Sequence, residues 1–317
     1  MFRTVAARFP IAVFPILLGL MGMGLALRRG VAAGVPVEVS ELWLGAASAL
    51  LLVASVFYAA RLALNPMAIF RDLAPPPARG AASAAGMAWM LWGAALGPEG
   101  GRFAVFVWAL GLMIHWAALG VSIRILTSEQ TPAPKLVPGL YLVFVGQIVA
   151  PYGGVSLGYA GLSLALFVSA LLAWAVLGAL LLKTVRNIPA GAPHPFRPGL
   201  AIHLAPFVVG AGAAASFGAE WSQNAVLALT ALGVPVAIWL LRRARWMAEG
   251  GFNAAWGAFT FPAAASAGAI TASAQILGGG TVLNAIALIA LAAGAAVVLF
   301  VAWAAVRALK AGKLKAS

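Results

Sequence analysis

Residues 282–308 read VLNAIALIALAAGAAVVLFVAWAAVRA, a run with no charge until Arg307. As a helix rising 1.5 Å per residue it reaches about 40 Å, more than the ~30 Å hydrocarbon core of a bilayer. A soluble core helix needs polar residues on its outer face, and this run has almost none. Asn284 stands near one end and Arg307 near the other, where the headgroups would lie.

The same pattern recurs back along the chain. Of 317 residues, 63% are hydrophobic and only 9% charged, and the mean hydropathy is +1.01. No soluble domain could hide so much apolar surface, so the bilayer is the solvent and one helical membrane domain accounts for residues 1–317. Apolar runs long enough to cross fall near 10–28, 41–63, 81–97, 101–126, 136–151, 155–182, 200–218, 222–242, 253–275 and 282–308, numbered here as spans 1 to 10. A short tail of about 309–317 follows. Arg3 and Arg8 before Ile11–Leu27 resemble a secretory signal. The apolar stretch is long for one, however, and runs into Arg28 and Arg29 without a small-x-small cleavage site, so an uncleaved first span is expected.

Charge placement sets the orientation. With the N-terminus in the cytoplasm, seventeen Lys and Arg fall in inner segments and three, Arg28, Arg29 and Arg102, in outer ones. Basic residues near span ends stay inside, and one missed span would reverse every later loop, so the split supports ten spans with both termini cytoplasmic. The formal charge of +13 therefore belongs to loops and suggests no nucleic-acid partner. Absence of cysteine removes disulfides and thiolate metal sites.

Links after spans 3, 5, 7 and 9 are tight, whereas inner links such as 65–80 and 186–199 are long, which pairs the helices into five hairpins closed on the outside. Pro15, Pro138, Pro206 and Pro262 fall within odd spans and only Pro235 within an even one. A proline frees a carbonyl that protein or water must satisfy, so kinked odd spans suit an inner ring around a polar path.

No Asp, Glu, Lys or Arg falls in the middle third of any span; Glu41, Arg124 and Glu220 lie near ends. A proton-coupled relay wants a buried carboxylate, so its absence favours a passive conduit. His115 and His203 admit axial haem ligation, which would make the chain the membrane anchor of a redox enzyme, or interhelical packing. Their depths are poorly matched for a shared haem, and no cofactor is expected. His194 sits in a proline-rich inner loop. No nucleophile with its base and no metal cluster appears, so catalysis is not expected.

Span 9 opens Gly251-Phe252-Asn253-Ala254-Ala255-Trp256-Gly257-Ala258-Phe259-Thr260-Phe261-Pro262. At 3.6 residues per turn, Asn253, Gly257, Thr260, Ala264, Gly268, Thr271 and Gln275 form one small or polar stripe. Phe261 lies roughly 20° from Gly268 and roughly 40° from Gly257 around the helix. Such a stripe serves either close helix packing or pore lining, and a lone bulky apolar residue on a narrow face would build a dewetting constriction.

These residues resemble the tellurite-resistance and dicarboxylate transporter (TDT) family, which includes bacterial TehA-like proteins and the plant slow anion channels. The similarity is carried by Glu249-Gly250-Gly251-Phe252-Asn253 with Trp256 and Ala258-Phe259-Thr260-Phe261-Pro262, and by Phe196-Arg197-Pro198-Gly199-Leu200-Ala201-Ile202-His203-Leu204-Ala205-Pro206. Phe9-Pro10 and Phe14 leading to Leu18-Gly19-Leu20 add a third match. The match is sparse around 65–86.

The resemblance implies ten helices in five hairpins, odd helices ringing a central pore, and a homotrimer in a bacterial inner membrane. It implies an uncharged, electropositive conduit for small inorganic or carboxylate anions, blocked midway by a phenylalanine that corresponds to Phe261, or to Phe259 if the register slips. Expected pore-lining positions are Phe14, Gly19 and Gly22 in span 1, Pro138 and Gly146 in span 5, Pro206 and Gly210 in span 7, and Gly257, Thr260, Ala264 and Gly268 in span 9. Coupled export of C4-dicarboxylate, tellurite or sulfite is the alternative activity. The plant channels are regulated through phosphorylated soluble tails, and regulation of that kind is not expected here.

Overall fold

Long apolar runs with no charge to solvate can satisfy their backbone only internally, so helix is the one structure open to them in lipid. The computed structural model describes residues 2–131, 134–186 and 193–312; the loop stretch 187–192, Lys313 and Lys315 lie outside the described residues, as do the side chains of Lys183 and Arg186. Among the described residues there is helix and no strand. The α-helices are α1 (Phe2–Ala7), α2 (Phe14–Arg29), α3 (Val37–Leu64), α4 (Ala68–Leu73), α5 (Ala81–Leu96), α6 (Gly101–Thr127), α7 (Leu140–Phe144), α8 (Pro151–Gly154), α9 (Ala160–Arg186), α10 (Ala205–Ala215), α11 (Glu220–Leu241), α12 (Ala244–Ala248), α13 (Gly257–Ile276) and α14 (Thr281–Lys310).

Seven helical stretches among the described residues are long and apolar enough to cross a membrane, against ten spans expected. The three others have physical reasons for falling short. Helix α5 has 16 residues, and α13 is diluted by Gly, Ser, Thr and Gln. The fifth span, expected as one helix over 136–151, is broken: α7 is followed by a 3-10 turn at Gly146–Val149 and then by α8. Pro151 starts α8, where its missing N–H costs nothing. The Trp108 indole N–H donates to the Ala150 carbonyl at 2.9 Å, satisfying one of the groups the break leaves open.

The prolines expected to kink the odd spans mostly mark their changes of helix type. Pro15 and Pro206 stand in the first turns of α2 and α10, just after 3-10 stretches at Ile11–Val13 and His194–Leu204. Pro138 precedes α7, whereas Pro262 lies inside α13, where the Ser266 hydroxyl donates to the Pro262 carbonyl at 2.7 Å. Residues 200–204 are thus 3-10 rather than the α-helix expected from 200.

Helices α2, α5, α8, α10 and α13 touch in a closed circuit, with the 146–149 turn bridging α5 to α10 and α13 returning to α2. Each packs against the helix that follows it: α3, α6, α9, α11 and α14. The most apolar windows of the first and seventh spans are 72% and 78% buried, whereas those of α3, α6, α9, α11 and α14 are 17–39% buried. The outer helices turn Leu42, Leu172, Val176, Leu241, Val282 and Ile289 outward, as a lipid-facing surface requires. Ile16 packs with Val301 and Ala305, so the start of the first span and the end of the last share one end of the bundle. Ala33, Ala274 and Ala287 meet at the far end.

Arginine clips brace the end that carries the termini. Arg61 pairs with Asp72 at 2.7 Å and also donates to the Ala7 carbonyl, while the Tyr58 hydroxyl donates to the same carboxylate at 3.1 Å. Arg79, buried in the loop before α5, donates to the Pro134 and Lys135 carbonyls, and burial holds its pKa below the usual guanidinium value. Arg197 pairs with Glu249 and stacks 4.6 Å over the Trp246 ring.

Candidate functional site

Three cavities follow one another along the ring. The first, of about 60 Å³ at the end carrying the termini, is lined by Pro15, Gly80, Pro138, Phe196, Gly199 and Ala258 among others. The second, of about 20 Å³, holds room for roughly one water and lies among Met87, Val145, Gly146, Pro206, Val209 and Phe261. The third, of about 320 Å³ toward the far end, runs from Phe261, Gly22 and Ala264 up to Arg28, Arg29, Tyr152, Ser216 and Gln275. Along α13 the order is Ala258, then Phe261, then Ala264 through Gln275, which fixes the sequence of the cavities.

Two partitions separate them. Leu142 and Ile202 line both the first and the second cavity. Phe261 lines both the second and the third. Its ring is 4% exposed and rests on the backbone of Gly22, where a Cβ would sit 2.8 Å from ring atoms Cδ2 and Cε2. No charged residue lines the first or the second cavity among the described residues. A larger cavity of about 600 Å³ lies off this line, at the periphery among Trp174, His203, Phe207, Pro235 and Trp239, and Phe261 takes no part in it.

The stripe on span 9 divides into two halves, one packed against α2 and the other bordering a cavity. Gly257 and Thr260 face α2: a Cβ on Gly257 would lie 2.7 Å from Pro15 Cβ. The Thr260 hydroxyl is 2.9 Å from the Pro15 carbonyl and 2.8 Å from the Gly257 carbonyl, either of which can accept its proton. Gly19 is the matching position on α2, with the Thr260 side chain where its own would be. Ala264, Gly268 and Gln275, by contrast, line the far-end cavity.

Of the other expected lining positions, Gly22, Pro138, Gly146 and Pro206 border cavities on the axis. Gly210 lies between Leu229 and Ile148, and Phe14 packs edge-on against Tyr58 of α3 at 5.6 Å. Phe259 turns the other way from Phe261, against Trp256 and the Ile16, Val301 and Ala305 cluster beside α14. His115 is buried on α6 beside Gly146, and His203 stands edge-on to Tyr141 at 5.4 Å.

Sequence reasoning missed Leu142, Ile202 and Met87, whose only signal was membership of odd spans. It also missed that two of its motifs meet: Arg197 of one pairs with Glu249 of the other.

A closed circuit of interrupted helices around successive cavities, wrapped by lipid-facing helices, defines a membrane channel or transporter. Residues 8–309 match the voltage-dependent anion channel (SLAC1) family, and the chain belongs to it. Anion transport in the general sense comes with that membership. No curated protein gives a match to this chain.

Proposed function

We propose that the chain is an anion channel or facilitator in which Phe261 closes the path. The carrying observation is that this side chain is common to the linings of two successive cavities on the ring axis. The cavity on one side of the ring holds only about 20 Å³ between mostly apolar side chains, which suits a constriction that excludes water when shut. Holding a charge in such a place costs about 3 kcal/mol on insertion scales. That is on the order of 100-fold in rate.

The ten helical columns cross an inner bacterial membrane with both termini cytoplasmic, so the 320 Å³ cavity opens outward. The seventeen-to-three division of basic residues supports this orientation. The resemblance to TehA-like proteins supports a homotrimer with one conduit in each protomer. Flux follows the anion's own gradient, since no carboxylate faces the axial cavities among the described residues.

Phe261→Ala is expected to raise anion flux into liposomes on the order of 100-fold. Unchanged flux would remove Phe261 from the role. A requirement for a proton gradient would instead favour a coupled exporter.

A further inference from the structure

Two adjacent arginines end α2, and their surroundings differ. The Arg28 guanidinium is neutralised by Glu41, with contacts of 2.6 and 2.7 Å, and donates a third bond to the Ala95 carbonyl at 2.6 Å. Arg29 lines the far-end cavity and has no carboxylate within ion-pair distance among the described residues. Its two terminal nitrogens reach only the Gly268 and Gly212 carbonyls, each at 3.5 Å, the outer limit of a hydrogen bond. A guanidinium with five donors is thus held in the cavity wall by two weak contacts.

The groups beside it are neutral and able to donate. Tyr152, Ser216 and Gln275 share the lining with Arg28 and Arg29, and the lining contains no Asp or Glu. The Gln275 amide donates to the Arg29 carbonyl at 2.8 Å, which anchors the backbone at this point. Tyr152 lies hard against Gly212, at a place only a residue without a side chain leaves open. A partly desolvated guanidinium facing such a chamber, with Phe261 at its floor, lacks only an acceptor.

We infer that Arg29 is the principal ligand of an anion-binding station in the far-end cavity, taking a small inorganic anion immediately before or after it passes Phe261. The inference rests on the reading of the cavities as an anion path. An anion displaces the two long carbonyl contacts with shorter charge-assisted hydrogen bonds, and Tyr152 or Ser216 adds a neutral donor. Arg28 cannot substitute, because Glu41 already satisfies it.

The test uses the full chain purified in detergent, with thermal melts titrated by sodium nitrate or chloride against sodium gluconate at matched ionic strength. Unsubstituted protein should show saturable stabilisation by the small anions. Arg29→Gln should raise the half-saturating concentration by about tenfold or more, and Arg29→Lys should fall between. An equal response from Arg29→Gln overturns the station. Bromide soaked into crystals of the unsubstituted chain gives a check that needs no variant. An anomalous peak at the Arg29 guanidinium supports the station, and peaks confined to other places overturn it.

Flux assays separate this from the gate. If Phe261→Ala conducts and adding Arg29→Gln leaves the half-saturating anion concentration unchanged, the station fails and the gate stands. If Phe261→Ala passes no anion while Arg29-dependent stabilisation persists, the conduit reading fails, and with it the station's place on a path, while anion binding at Arg29 stands.

Discussion

Gly22→Ala tests the seat of the Phe261 ring rather than the ring itself. A Cβ at residue 22 would lie 2.8 Å from ring carbons Cδ2 and Cε2 and 3.6 Å from Ala264 Cβ. Carbon atoms settle at about 3.5–4.0 Å, so the ring must retreat by about 1 Å. Its free side is the 320 Å³ cavity, whereas the cavity on the other side holds only about 20 Å³. Overpacking of this size costs about 1–3 kcal/mol, charged here to the closed position of the ring. Flux should therefore rise by about 5- to 150-fold if an unseated ring is an open one. Alanine is favoured over glycine in a helix by about 1 kcal/mol, so α2 itself should remain intact. The assay is chloride and nitrate efflux from liposomes for Gly22→Ala, Phe261→Ala and the double variant. The effect of Gly22→Ala must vanish once the ring is gone. Unchanged flux, reduced flux, or an effect that survives in the Phe261→Ala background would each refute the reasoning.

Phe259→Ala should lower thermal stability without raising flux, because its ring packs against Trp256 beside α14 and touches no axial cavity; a flux increase matching that of Phe261→Ala would reassign the gate. Arg197→Ala should cost about 1 kcal/mol or somewhat more, read by thermal melts, chiefly through lost stacking on Trp246, since Glu249 is 60% exposed and its charge is screened. Glu249→Gln should then cost less than Arg197→Ala, and the reverse order would make the ion pair the larger contribution. Gly111→Ala should sharply reduce folded yield in detergent, because a Cβ there lies 2.8 Å from the Gly86 carbonyl oxygen and backbone cannot yield. Gly120→Ala on the same helix meets nothing within 4 Å and should behave as the unsubstituted chain, which makes it the control.

The helices were legible because hydropathy is a local property, and 282–308 needs no partner to be read. The inner ring was legible through its prolines: Pro15, Pro138, Pro206 and Pro262 fall in odd spans, and three of them stand at or just before the start of a helix in those spans. The broken fifth span was not legible, because Gly146, Pro151, Gly153 and Gly154 are tolerated in an unbroken span as well. Their effect depends on tertiary partners such as Trp108, which takes the Ala150 carbonyl. The stripe on span 9 was found by angle alone. Angle cannot say that Gly257 and Thr260 would face α2 while Ala264 and Gly268, on the same stripe, would face a cavity. The break between them falls near Pro262, which separates the packed part of the helix from the lining part.

Charge makes the same point about what sequence order hides. Counting by loop placed Arg28 and Arg29 together as outer charges, yet the fold spends one and leaves the other. Helix α3 brings Glu41 to Arg28, while α10 and α13 bring only carbonyls to Arg29. At the opposite end Arg61 and Arg197 are each committed to a carboxylate, and Arg79 to backbone carbonyls. A guanidinium paired with a carboxylate is largely neutralised, and the donors it spends there are not offered to a passing ion. The proposed anion station therefore depends on where a guanidinium is left with little to hold, and not on how many basic residues the chain carries.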